Sequence, residues 1–264
     1  MRTMKTALYC QHILKWLTRL NTLPVSWRMP RQTAARLRGV AVVICLANGW
    51  AALPALAQVG PSGVEAASFT GLHAAAHKGD VTQIEKLTAA KVDVNARASN
   101  GRTAIHVATF SRQREALKAL AKAGADLDLL ENDRYDGVTI ASVADDEETL
   151  RVLLALGASA KQTTSRYDGT ALIAAAHLGH DGVVRQLIKA GAPLDHVNNL
   201  HWTAVIESIV LGDGGKRHQA TLKALIDAGA NLQLKDRTGA TPLQLARSRN
   251  YGEMVKMLET AGAK

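Results

Sequence analysis

Beyond residue 57 the chain has no cysteine; Cys10 and Cys45 both lie before it. The remainder therefore cannot form a disulfide, present a thiolate nucleophile or bind a metal through sulfur. Residues 1–57 in turn lack Asp and Glu while carrying eight Lys or Arg. That asymmetry accounts for most of the formal charge of +9, and the rest of the chain holds 24 basic against 23 acidic residues. A near-neutral body offers no extended field for a phosphate backbone, so nucleic acid is excluded as a partner. Membrane-spanning length is also missing. The apolar run from Val40 to Leu53 falls short of the roughly 20 residues a transmembrane helix needs.

That run has a recognisable setting. Arg31, Arg36 and Arg38 precede it, and Pro54-Ala55-Leu56-Ala57-Gln58 follows. A basic segment, a short apolar core and an Ala-x-Ala exit describe a secretory signal, with cleavage after Ala57. A signal of ordinary length begins at Met29, so the start is either Met1, with a long basic extension, or Met29. Cys45 follows the bulky Ile44, where lipid-attachment signals carry a small residue. The mature chain is expected in the periplasm, or secreted, without membrane insertion; the alternative is anchorage by an uncleaved N-terminal segment. Residues 58–69 form a linker or N-terminal cap.

From residue 70 onward the sequence repeats itself. Thr70, Thr103, Thr139, Thr170, Thr203 and Thr241 open similar blocks, spaced 33, 36, 31, 33 and 38 residues apart. Two positions later comes an apolar residue (Leu72, Ile105, Ala141, Leu172, Val205, Leu243), and five positions later a small one (Ala75, Ala108, Ala144, Ala175, Ser208, Ala246). A Gly-Ala pair closes each block at Gly124, Gly157, Gly191, Gly229 and Gly262; the first block has Lys91-Val92 instead. Apolar residues at helical spacing predict two short amphipathic helices per block, with glycine supplying the left-handed cap after the second. Neither helix hides its apolar stripe alone, so the blocks must stack. The uneven spacings place three extra residues in the loop after Gly124, three fewer between the helices of the third block with one extra in its loop, and five extra at Gly212–His218 in the fifth.

The openings Thr70-Gly71-Leu72-His73-Ala74-Ala75, Thr103-Ala104-Ile105-His106-Val107-Ala108 and Thr241-Pro242-Leu243 resemble the ankyrin repeat, over about residues 68–264. The stretch from Asn198 to Gly215 is similar in style to bacterial ankyrin proteins of the exported type. The resemblance implies an all-α solenoid of about six helix-turn-helix repeats with short hairpin-like loops. The repeats are 70–102, 103–138, 139–169, 170–202, 203–240 and 241–264. It also implies that His73 and His106 are structural, their imidazoles bonded within the loop and to the neighbouring repeat. Family members bind proteins through their fingertips and the exposed positions of their first helices. Carried over, that surface holds Arg97, Asn100 and Arg102 on the first finger, Phe110, His177 and Leu178 on inner helices, and His201 and Trp202 on a later finger. Trp202 is either a binding anchor or cover for the enlarged loop of its own block.

One motif stands out within the loops. Arg134-Tyr135-Asp136-Gly137 and Arg166-Tyr167-Asp168-Gly169 occupy successive hairpins. Tyr and Arg are the residues that most often dominate interface energy, so Arg134, Tyr135, Arg166 and Tyr167 are candidate partner contacts. The alternative is repeat duplication, with Asp-Gly chosen for the turn.

Chemistry finds little support. Gly215-Lys216 is followed by Arg217, and Val210 stands where a P-loop needs its first glycine, so there is no phosphate cradle. That segment reads as a flexible inter-helix loop. His177 and His180 are three apart, but Gly179 separates them at a helix end and no third metal ligand is near. The acidic run Asp145-Asp146-Glu147-Glu148 reads as a solvated face at a helix start. No catalytic residue, cofactor or metal is expected. The chain is read as a monomeric exported scaffold, not an enzyme, that binds another protein. The alternatives are a small-ligand-binding or enzymatic accessory protein of the periplasm, or a secreted effector acting on a host or rival-cell protein.

Overall fold

The computed structural model describes residues 59–264. The expected signal, its expected cleavage point and both possible starts lie outside the described residues.

Among the described residues thirteen short α-helices follow one another: α1 (Gly63–Ser68), α2 (Gly71–Lys78), α3 (Val81–Ala89), α4 (Ala104–Phe110), α5 (Arg114–Lys122), α6 (Gly137–Val143), α7 (Glu147–Ala155), α8 (Ala171–Leu178), α9 (Asp181–Lys189), α10 (Ala204–Val210), α11 (Lys216–Asp227), α12 (Pro242–Ser248) and α13 (Gly252–Thr260). After α1 they pair off. The even-numbered helices stack on one another as an inner layer, and α3, α5, α7, α9, α11 and α13 form an outer one. Between pairs the chain leaves the stack as a finger and returns.

Sequence fixes where each inner helix begins. Thr170, Thr203 and Thr241 cap α8, α10 and α12, their hydroxyls accepting the N–H three residues on. At α4 the Thr103 N–H donates to His106 Nδ1 at 3.0 Å. The third block departs from the expected register. Its cap is Asp136, whose Oδ1 accepts the Thr139 N–H at 2.7 Å. Asp is the stronger cap, and it captures the helix start three residues ahead of Thr139. The spacings 36 and 31 thereby become 33 and 34. The lengthened second loop and the shortened third block do not exist. Val138 and Ala141, rather than Ala141 and Ala144, fill the buried positions two and five after the cap, and Ala144 is exposed.

The inner positions pack to completion: Leu72, Ile105, Val138, Leu172, Val205 and Leu243 are all buried, as are Leu117, Leu150, Leu187 and Leu222 from the outer layer. Gly124, Gly157, Gly191, Gly229 and Gly262 end the outer helices at φ between 80° and 98°. Lys91 adopts the same left-handed backbone, φ 59°, at the corresponding place in the first block.

The extra residues of the fifth block are ordered. Part of them lengthens α11, so Lys216, Arg217 and His218 lie in its first turn. The remaining connection, Leu211 to Gly215, is fastened to its neighbours. Arg217 Nη2 lies 2.8 Å from Asp145 Oδ2, two repeats away. His218 links Asp213 Oδ1 (2.9 Å) to the His177 carbonyl (3.0 Å), its ring lying against Gly179 and Gly212. The Tyr251 hydroxyl donates to the Gly212 carbonyl at 2.8 Å. The Gly215 N–H and the His218 ring hold the Asp213 carboxyl below the usual carboxylate range. This is a latch and not the flexible loop the glycines suggested.

The acidic run is solvated in part, as expected: Glu147 and Glu148 are exposed in the first turn of α7, whereas the preceding Asp146 is built in. Asp146 caps α7, is nearly buried, and pairs with Arg114 (3.0 Å) and Arg112 (3.3 Å). Glu147 lies across Gly182 of the next block and accepts from Gln186 at 3.1 Å.

Gly212 is the tightest point of the latch, since a Cβ there would collide with the Ser208 carbonyl oxygen. Backbone has nowhere to yield, so Gly212→Ala is expected to cost about 2–3 kcal/mol. Urea denaturation of the folded domain measures it. A loss under about 0.5 kcal/mol, the scale of an ordinary surface substitution, would show that the connection is loose.

Candidate binding face

Each finger closes by one backbone bond across its base: Ala98 N–H to the Arg102 carbonyl, Glu131 to Tyr135, Thr164 to Gly169, Asn198 to Trp202 and Asp236 to Ala240, at 2.7–3.0 Å. Three of the closing residues also use their side chains. Glu131 Oε1, Asn198 Oδ1 and Asp236 Oδ1 each accept two N–H groups from the far side of their own hairpin. The residue two before each helix cap takes a left-handed backbone: Gly101, Arg134, Asp168, His201 and Gly239.

Fingers are then tied to one another. Asn132 N–H donates to the Asn100 carbonyl (2.9 Å), Ser165 to Arg134 (2.9 Å) and Asn199 to Tyr167 (3.0 Å). His73 Nε2 reaches the Arg102 carbonyl and His106 Nε2 the Tyr135 carbonyl, both at 3.0 Å. These imidazoles do what the family resemblance implies and fasten each helix to the finger ahead of it.

The two Arg-Tyr-Asp-Gly stretches share a sequence and not a geometry. The third finger holds one more residue than its neighbours, so Arg134 falls at the place of Asp168, not of Arg166. These equivalent residues meet, with Arg134 Nη1 2.9 Å from Asp168 Oδ1. Tyr135 is half-buried at the finger base, and burial, followed by the nearby Asp133 charge, raises its phenol pKa. Tyr167 is 45% exposed at the tip beside the exposed Arg166.

The other expected contacts divide. Arg97 and Asn100 are exposed on the first finger, with Arg97 Nη1 donating to the Gly101 and Leu130 carbonyls. His201 is exposed and Trp202 half-buried on the fourth finger. Arg102 is not a surface contact. It is 5% exposed, grips Glu65 of α1 with two bonds of 2.8 Å, donates to the Val59 carbonyl, and lies 4.9 Å from the centre of the Phe110 ring. Phe110 is accordingly half-covered, with Gly60 against its ring. Residues 59–69 thus occupy ground assigned to a partner.

Further along the inner layer the last-turn positions are open and mostly apolar. Val143, His177, Leu178 and Val210 are half-exposed and Leu211 is 42% exposed. Val143 joins this row only in the register that Asp136 sets, which the Thr139 spacing conceals. Glu207 gives no motif in the sequence. Its carboxylate is buried beneath this face, with Oε1 accepting from Asn198 at 3.0 Å and Oε2 3.3 Å from His177 Nδ1. A signal for it exists: the same position in other blocks holds Ala74, Val107, Ile140, Ala174 and Leu245, so a charge interrupts an apolar column. Among the described residues no group of three or more His, Cys, Asp or Glu is placed to hold a metal, and no helix is long and apolar enough to cross a membrane.

Stacked helix pairs with tied, projecting fingers define a helical-repeat solenoid. A family model for ankyrin repeats (3 copies) matches residues 34–131 and 138–236, and the chain belongs to the ankyrin-repeat family. It is 34% identical over 190 residues to the putative ankyrin repeat protein YahD of Escherichia coli (strain K12), covering 72% of this chain and 94% of that protein. An ankyrin repeat domain from Acinetobacter baumannii AYE is 44% identical with a TM-score of 0.69, covering 73% of this chain and 98% of that one. A chain from the complex of the Bdellovibrio bacteriovorus predatory endopeptidase Bd0816 with immunity protein Bd3460 is 24% identical (TM-score 0.57; 73% and 98% covered), a likeness of fold alone. Ankyrin repeats generally mediate protein–protein interaction.

Two predictions come from these contacts. The Arg102–Glu65 pair holds α1, which has no buried residue of its own. Glu65→Gln should release residues 59–68 to rapid hydrogen exchange. Global stability should fall by only about 1–2 kcal/mol, because Arg102 regains water as α1 leaves. Unchanged protection of α1 would contradict this.

The second concerns pH. Burial lowers the His106 pKa from 6.5 to about 4, against the pull of its bond to Tyr135, and raises that of Asp136 from 3.8 to about 6. Between pH 6.5 and 4 the unfolded His106 binds more protons than the native one, so acidification costs stability. Asp136 acts oppositely between pH 6 and 3.8, where the native state holds the extra proton. Each linkage is worth about 3 kcal/mol, and together they nearly cancel. His106→Gln, which copies the Gln244 found at this place in the last repeat, should make stability rise as pH falls from 6 to 4. Asp136→Thr should make it fall more steeply than in the parent. Denaturation midpoints across that range decide it, and parallel slopes in all three proteins would refute the opposition.

Proposed function

We propose that the protein is an exported, monomeric scaffold, not an enzyme, that binds a protein partner across its fingertips and inner-helix face. The observation that carries this reading is the half-exposed stripe of Val143, His177, Leu178, Val210 and Leu211 on helices whose remaining positions are largely buried. Tyr167, His201 and Trp202 stand on the fingers beside it. Backbone bonds between successive fingers hold this surface in place before any partner arrives, so little conformational entropy remains to be lost on association. Export rests on the basic, apolar and Ala-x-Ala succession ending at Ala57. The periplasm is the compartment we assign to the mature chain.

The test is capture from periplasmic extract with two baits besides the parent. Leu178→Glu/Leu211→Glu alters the stripe, and Lys122→Glu/Lys189→Glu alters the outer helices. The stripe variant should lose at least about tenfold in recovered partner, the loss expected when a central apolar anchor worth about 2 kcal/mol is removed, and the outer variant should match the parent. Equal recovery by both would discard the face. N-terminal sequencing of the periplasmic protein should begin at Gln58; a chain that sediments with membranes and keeps its leading segment would discard cleavage, and one found only in the cytoplasm would discard export.

A further inference from the structure

Arginines on this protein fall into two groups. Most have a carboxylate within 4.0 Å, including Arg112, Arg114, Arg151, Arg185, Arg217 and Arg247. Among the described residues, those without one are Arg97, Arg166, Arg237 and Arg249. The first three stand on the first, third and fifth fingers, and the fourth ends the last inner helix. All four belong to the face described above. Arg97 and Arg237 each commit part of the guanidinium to carbonyls of the neighbouring finger, which orients the head without setting a carboxylate against it. Arg166 is exposed beside Tyr167.

We propose that the fingertips form an arginine comb that receives an acidic segment of the protein partner. This rests on the reading of that face as a binding surface and names the chemistry of what it binds. Stacked helices lie about 8–10 Å apart, so teeth on alternate fingers are about 16–20 Å apart. An extended chain rises about 3.3 Å per residue, which sets matching carboxylates roughly five or six residues apart. Two observations favour a protein over a nucleic acid. Asp133 on the second finger and Asp168 on the third interrupt the comb, and the Arg134–Asp168 pair takes up the second finger's arginine, whereas a phosphate backbone rewards unbroken positive charge. The half-exposed apolar stripe behind the fingers suits side chains rather than sugars and phosphates.

The probe is a fluorescent peptide of about 20 residues of Glu, Tyr and Gly with carboxylates roughly every five or six residues. It is compared with a Gln-for-Glu twin and a single-stranded DNA of about 20 nucleotides. The acidic peptide should bind at least about tenfold more tightly than the twin and the DNA, and weaken with added salt. Arg166→Gln/Arg237→Gln should weaken it about tenfold, with Arg97→Gln made separately because that side chain also braces its finger. Lys122→Gln/Lys189→Gln, which removes the same charge from the outer helices, should change it less than about twofold. Helical circular dichroism confirms that each variant is folded. Equal loss in the control pair, equal binding of the twin, tighter binding of the DNA, or no binding by the acidic peptide would each overturn the proposal. None of these outcomes touches the capture experiment on Leu178 and Leu211, which tests the face independently of its charge.

Discussion

Everything in this molecule hangs on inner helix packing against inner helix. Each of these helices has seven or eight residues, well short of the dozen or more an isolated helix needs to hold in water. Leu172 and Leu187 are fully buried only because the blocks before and after supply the opposite wall. Each such side chain contributes about 1.5–3 kcal/mol when taken from water, and the whole of that depends on the neighbour being present. Capping residues choose where a helix starts, but the stack decides that it persists.

Rigid stacking also explains how a loop-rich edge becomes a surface. Hairpins alone are marginal, and here five of them are closed at the base and braced against their neighbours. His106 and Asp136 show the cost of that bracing. One is an imidazole held neutral and the other a carboxyl held protonated toward weak acid, at adjoining points of one junction. Acid therefore meets a junction whose two groups respond in opposite senses, the imidazole resisting a proton and the carboxyl taking one early.

The repeat, the helix pairs, the stacking and the structural histidines were all legible in the sequence, because their physics recurs and each occurrence checks the others. What stayed hidden was whatever happens once. Asp136 caps a helix where the neighbouring blocks use Thr, so a Thr-based register lands on Thr139 and shifts the third block by three residues. Arg102 looks like a fingertip residue by position, and only the fold brings Glu65, 37 residues earlier, beneath it. The twin tetrapeptides mislead because likeness of sequence is not equivalence of structure; one additional residue in the third finger separates them. Glycines at 212–215 suggest looseness, but Gly212 and Gly214 are small because the Ser208 carbonyl and the Tyr251 ring approach them closely.

That last connection changes how the array should come apart. A simple solenoid couples each unit to its neighbours alone, and its ends fray one unit at a time. Here Arg217 reaches past the fourth repeat to Asp145 in the third, and Tyr251 of the sixth closes on Gly212 of the fifth. The third to sixth units thereby share a lattice that includes a contact between non-adjacent repeats, whereas the ties of the first two, such as Arg97 to the Leu130 carbonyl and Arg114 to Asp146, run only between neighbours. Melting should accordingly be lopsided, with the amino-terminal end opening first and the rest yielding together as a single cooperative block.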